Sequence, residues 1–198
     1  MVNPVSYATS APLNNPVLTG TKYCLMVVLG VAVITASAKT TVPFWPVPMT
    51  LQTMAIMAIA VATGPRIAVA TMLAYLAVGA AGLPVFAGTP ERGIGIVYMM
   101  GPTGGYLAGY LIAAGFVGAL ARGRGAFGRF AVMMAGMVPV YLLGLAGLSG
   151  FVASEKVVAL GFTPFILGDT IKIALVAFGG AAITRLTKRK PSNRADAA

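Results

Sequence analysis

The chain has 198 residues, of which 58% are hydrophobic and only 9% charged, and its mean hydropathy is +0.89. That composition excludes an ordinary soluble domain and points to a single integral membrane domain. With no histidine, four acidic residues and one cysteine (Cys24), the raw material for a transition-metal site, a Ser-His-Asp triad or an internal disulfide is missing, and no G-x-x-x-x-G-K-[ST] phosphate loop occurs.

Met1 to Thr19 is polar and carries Pro4, Pro12 and Pro16, without the basic and apolar regions of a signal peptide, and is expected to be a short tail. The first apolar run, from about Gly20 to Ala38, is long enough to span a bilayer with small adjustments. Its Ala32 and Ala36 form a small-xxx-small pair that lets another helix approach. Pro43, Pro46 and Pro48 then force an extended or turning backbone, so Lys39 to Val47 is expected to be a loop, with Phe44 and Trp45 placed as interfacial aromatics or as part of a ligand cover. A second helix, about Met49 to Ala62, begins with Thr50 and Gln52. Gly64-Pro65-Arg66 makes a turn into a short third helix, about Ile67 to Ala80.

Gly82 to Met100 holds Glu91 and Arg92 and is too rich in glycine for a regular spanning helix. Such backbone is tolerated at membrane depth where it is buried in protein or lines a cavity. GPTGGYLAGYLIAAGFVGAL forms a fourth helix whose Gly105 and Gly109 imply close helix contact. Arg122, Arg124 and Arg129 mark the next loop. A fifth helix covers about Phe130 to Leu148, with Pro139 inside it. Gly150 to Thr163 is expected to be a loop, and the sixth helix runs from Phe162 to Thr184.

That last run carries Asp169 and Lys172 among apolar residues. Three positions apart, they share a helix face and can reach each other. Either charge alone near mid-membrane costs about 2.5–3.5 kcal/mol, so each needs a partner. An ion pair that only locks helix packing is the plain alternative; a ligand or ion site is favoured, because intramembrane ionisable groups are so often functional.

The net charge of +10 comes from basic residues lying mainly between apolar runs, which is the positive-inside pattern and not a nucleic-acid surface. Six helices place Arg66, the Arg122–Arg129 segment and the basic C-terminal tail on the cytoplasmic side with both termini. The expected architecture is therefore an all-α integral membrane protein with six transmembrane helices. Residues 1–19 form a tail, 20–186 the membrane domain and 187–198 a basic cytoplasmic tail. Lys39–Val47, Gly82–Met100 and Gly150–Thr163 then face outward, as do Gln52 and the Asp169/Lys172 face, so these features converge on one outward-facing pocket.

In order and spacing, VPFWPVPMTLQT, GLPVFAG, GPTGGYLAGY and the D-x-x-K of Asp169/Lys172 resemble the BioY family, the substrate-binding S components of energy-coupling-factor vitamin transporters. The resemblance covers most of the chain, and the combination of GPTGGY, VPxTLQT and D-x-x-K is specific where each piece alone is weak. It implies a protein of a bacterial cytoplasmic (inner) membrane that captures biotin from outside and works with a transmembrane coupling protein and cytoplasmic ATPases. A homo-oligomer is kept as an alternative to the single copy, and no cofactor is expected beside the transported biotin.

By resemblance, Asp169 and Lys172 contact biotin's ureido ring, Gln52 is the motif glutamine, and Ala32 and Ala36 form the docking face on helix one. The segment TPERGIGIVYMM departs from the glycine-richer versions of the family. A carboxylate and an ammonium suit a cyclic urea, whose N–H groups donate and whose carbonyl accepts. Thr50 stands beside Gln52, methionines with Tyr98 and Trp45 suit the apolar bicycle, and Arg92 or Lys39 could meet the ligand's own carboxylate at the mouth. A self-sufficient secondary transporter, proton-coupled through Asp169, is the runner-up, although no inverted repeat is evident. A membrane enzyme would need a more complete convergent set of acid, base and nucleophile.

Overall fold

A computed structural model describes residues 16–43 and 49–180. The described residues are mostly helical. Helix α1 (Pro16–Lys39) leads to two short antiparallel strands, β1 (Thr41–Val42) and β2 (Met49–Thr50), in which Thr41 pairs with Thr50 and Val42 with Met49. Then come α2 (Gln52–Thr63), α3 (Pro65–Ala80), the short α4 (Gly95–Met99), α5 (Gly104–Leu120), α6 (Ala126–Leu148), α7 (Ser154–Gly161) and α8 (Thr163–Ala174). A wider π-type turn, Leu175–Gly179, continues α8.

The apolar runs fold as expected, with ends that shift for identifiable reasons. Helix α1 opens at Pro16, inside the segment read as tail, because proline's fixed φ suits a first helical position. Helix α2 starts at Gln52 and not at Met49, since Met49 and Thr50 are held in the ladder with β1. Gly64 joins α2 to α3 at φ 81°, a conformation that needs glycine, and Pro65 opens α3. Helix α5 starts at Gly104, after a turn through Gly101–Thr103. Helix α6 begins four residues before Phe130, at Ala126, with Gly125 extended ahead of it. Arg129 therefore lies inside α6, not in the preceding loop.

The main correction lies before Thr163. Ser154–Gly161 is a helix and not a loop, with Glu155 in its first turn, where a carboxylate complements the helix dipole. Its buried positions Val157 and Gly161 are four apart, one apolar stripe. At Phe162 the backbone leaves helical geometry (φ −125°, ψ −57°), and Pro164 restarts it in the first turn of α8. The sixth run is thus one part of a broken helical path that starts at Ser154, and its expected end at Thr184 lies outside the described residues.

Three helical segments are long and apolar enough to cross a membrane, Gly20–Lys39, Ala126–Leu148 and Ser154–Gly179. Three shorter apolar helices, α2, α3 and α5, pack among them. The closest seam is between α5 and α6. A Cβ on Gly105 would run into the Leu143 carbonyl, and one on Gly109 would lie 2.5 Å from Val140 Cα and 2.8 Å from the Pro139 oxygen. Backbone meets backbone there because neither glycine carries a side chain. Helix α6 continues through Pro139.

Candidate functional site

The last turn of α1, the start of α2 and the segment 83–100 form one end of the molecule. Segment 83–100 folds inward: Phe86, Thr89 and Tyr98 are buried. Phe86 stacks on Tyr98 with centroids 4.8 Å apart and meets Tyr75 edge-on at 5.3 Å. Two tyrosines fix its backbone, Tyr75 of α3 donating to the Val85 carbonyl at 3.1 Å and the segment's own Tyr98 to the Ala87 carbonyl at 2.8 Å. The Lys39 ammonium, at the end of α1, donates to both the carbonyl and the hydroxyl of Thr89, at 2.5 and 2.7 Å. Irregular backbone is thereby held by side chains where no helix can satisfy it.

Behind this end lies a cavity of about 320 Å³. Asp169 and Lys172 reach it from α8, Thr50 and Gln52 from the start of α2, and Arg92 and Tyr98 from segment 83–100. Six of the seven residues expected at a binding site therefore share one wall. The seventh, Trp45, lies outside the described residues. Ala32 and Ala36 are elsewhere, exposed on the outer side of α1. Lys39 does not line the cavity; its ammonium is committed to Thr89.

The ion pair expected from spacing is present. Lys172 Nζ donates to Asp169 Oδ1 at 3.0 Å, and both residues are more than nine-tenths buried. Pairing offsets much of the desolvation that each charge would meet alone. Two further partners complete it. The Tyr141 hydroxyl, from α6, donates to Asp169 Oδ2 at 2.8 Å. The Met49 thioether, from β2, stands 3.5 Å from Lys172 Nζ as a weak acceptor. Gly168 leaves room for that sulfur, since a Cβ there would overlap the Met49 side chain.

Gln52 is buried, with a long 3.5 Å contact from its Nε2 to the Tyr75 hydroxyl, and Thr50 Oγ1 lies at the same distance from the Gln52 amide. Thr53 and Tyr110 share a 2.8 Å hydrogen bond across the cavity wall, and Tyr106 donates to the Gly161 carbonyl at 2.7 Å. Sequence reasoning missed Met49, Thr53, Tyr106, Tyr110 and Tyr141 as individual wall residues. A signal existed for two of them, because Tyr106 and Tyr110 sit four apart on one face of GPTGGYLAGY. For Tyr141 the signal was weaker, a phenol inside an apolar helix whose hydroxyl needs a partner.

The cavity wall combines one neutralised ion pair, a few hydroxyls and an amide with otherwise apolar residues, a composition suited to binding a small molecule. The model of the BioY family matches residues 9–189. The chain belongs to the BioY family. A relative from Pyrococcus horikoshii named "Probable biotin transporter BioY" is 37% identical over 75% of this chain and 88% of its own length. "Biotin transporter BioY" of Thermotoga maritima is 34% identical over 78% of this chain and 91% of its own. Among solved structures, the S-component for biotin from an ECF-type ABC transporter superposes with a TM-score of 0.67 at 26% identity, covering 91% of this chain and 96% of that one. This BioY-family chain is thus a membrane transport protein whose fold matches an S component.

Proposed function

We propose that this BioY-family protein captures biotin from outside the cell in the cavity beside Asp169 and Lys172, for delivery into the cytoplasm by an energy-coupling partner. The observation that carries the reading is the buried Asp169–Lys172 pair on the wall of a cavity of about 320 Å³. The Asp169 carboxylate accepts from a ureido N–H, and the Lys172 ammonium donates to the ureido carbonyl in place of the weakly accepting Met49 sulfur. The pair has no net charge, so a neutral head group is buried without an uncompensated charge. Tyr98, Tyr106, Phe165 and Leu107 supply the apolar wall for the bicycle and chain. With Lys39 bound to Thr89, Arg92 is the cation on the wall that can meet the carboxylate end. Trp45 is kept as part of the cover over the bicycle, and Thr50 and Gln52 as polar contacts of the wall.

In this reading α1, α2, α3, α5, α6 and the α7–α8 path form six membrane helices, with both termini cytoplasmic. Helices α2 and α3 have 12 and 16 residues, a rise of about 18 and 24 Å, short of the roughly 30 Å of a hydrocarbon core. The β1–β2 ladder and segment 83–100 make up the difference as irregular backbone around the cavity, which is where such backbone is tolerated. Orientation is tested by single cysteines at Ser154 and Gly125 in a Cys24→Ser background, both positions being exposed. An impermeant thiol reagent is expected to label Ser154→Cys from outside and Gly125→Cys only after the membrane is opened. Labelling of both from one side removes the six-helix orientation.

Energy coupling is assigned to a transmembrane coupling protein and ATPases that dock on the exposed Ala32/Ala36 face, where a bulky side chain holds a partner helix away. Purified chain in liposomes is expected to bind biotin without accumulating it. Ala32→Trp and Ala36→Trp are expected to keep binding in detergent and lose concentrative uptake in cells. Ion-gradient-driven accumulation by the chain alone would establish a secondary transporter instead.

A further inference from the structure

We propose that Tyr141 is a positioning residue that divides the Asp169 carboxylate between two partners and so keeps it presentable to the ligand. The proposal rests on the ureido reading above. A lysine three residues along the same helix has three rotatable donors and a flexible stem, and nothing in α8 itself stops it from lying across both oxygens of its aspartate. In the structure it does not. Tyr141 holds Oδ2 at 2.8 Å and Lys172 holds Oδ1 at 3.0 Å. Each oxygen offers about two acceptor sites, so each keeps one in reserve on a residue that lines the cavity. Fixing that reserve before binding removes an ordering cost from the bound state.

Only a tyrosine has the build for this place. Its ring lies edge-on to Phe162, centroids 4.8 Å apart, and forms part of the wall between the ligand cavity and a separate apolar groove of about 420 Å³. The groove is lined besides by residues such as Met137, Leu145 and Ile166, whose side chains offer no strong acceptor. The hydrogen bond the hydroxyl makes is the one to Asp169. The three residues are each more than nine-tenths buried, so the protein rather than bulk water sets their geometry.

The test is a double-mutant cycle on biotin affinity in the purified full chain. Tyr141→Phe keeps the ring and is expected to weaken binding about tenfold, the scale of one charge-assisted hydrogen bond. In the Asp169→Asn background, where a single amide oxygen leaves nothing to divide, the same change is expected to alter affinity less than about twofold. Equal losses in both backgrounds would make Tyr141 a packing or direct ligand residue and overturn the proposal. An unchanged affinity for Tyr141→Phe beside a weakened Asp169→Asn also overturns it while leaving the ureido reading intact. No loss in either removes that reading itself. If Tyr141→Phe does not fold, 3-fluorotyrosine placed at position 141 supplies the measurement. Its fluorine resonance is expected to move further at saturating biotin in the Asp169 chain than at saturating biotin in the Asp169→Asn chain, and equal shifts in both, or a resonance that ignores biotin in both, overturn the assignment.

Discussion

Asp169→Asn is expected to lower biotin affinity by ten- to a hundredfold, read by titration of the detergent-purified chain. A charge-assisted hydrogen bond to a buried partner is worth about 1.5–3 kcal/mol, which is that range in affinity. The substitution keeps shape and leaves Tyr141 and Lys172 within reach of an amide, so the protein is expected to extract as a single monodisperse species. Lys172→Ala is expected to lose at least as much binding. It strands the Asp169 carboxylate in a buried site with Tyr141 as its remaining partner, and breaking a buried pair from one side destabilises by about 3–5 kcal/mol. Unchanged affinity in both variants would reduce the pair to a packing element.

Gly109→Val is expected to do more damage than either, although it touches no ligand group. Its side chain would enter space already filled by the Val140 Cα and the Pro139 carbonyl, which are backbone atoms and cannot turn aside. Overpacking of this kind costs about 1–3 kcal/mol where side chains can adjust, and more is expected where two helices must part. Separation of α5 from α6 displaces Tyr110 and Tyr141 from each other, since one follows Gly109 on α5 and the other follows Val140 on α6. The expected results are loss of the monodisperse peak in size exclusion and loss of biotin binding. Gly125→Val, at an exposed glycine with ordinary φ and open space, is expected to leave both unchanged.

What was legible in the sequence was what local chemistry announces. Apolar runs bounded by Gly64-Pro65 and by the arginines after Leu120 fold as apolar helices, and Asp169 and Lys172 three apart on another such run find each other. What was not legible divides into two kinds. Gly161 and Pro164 look like breakers on both sides of Phe162, which hid the buried stripe of Val157 and Gly161 and made α7 read as a loop. Proline in a first turn starts a helix as readily as it ends one, and only tertiary burial decides. The second kind is long-range pairing. Tyr141 meets Asp169 across 28 residues, Lys172 meets Met49 across 123, and Lys39 meets Thr89 across 50. No spacing in one chain announces such partners. They exist because glycine seams and apolar packing bring α6 and α8 to one cavity and the end of α1 against segment 83–100.

The neutrality of the Asp169–Lys172 pair has a consequence for the electrical work of transport. A ligand bound there with its carboxylate ionised brings one negative charge, and the pair beneath it contributes none to cancel it. In a cell whose interior is negative, moving that charge inward is opposed by about 2.3 kcal/mol for each 100 mV, roughly a fiftyfold bias toward the outside at equilibrium. The pair itself therefore draws nothing from the membrane voltage, and any offset to the ligand's charge has to come from the Arg92 guanidinium on the same wall. On the docking proposed above, the free energy that releases the anion into the cytoplasm enters through a partner on the exposed face of α1 and not through the ion pair.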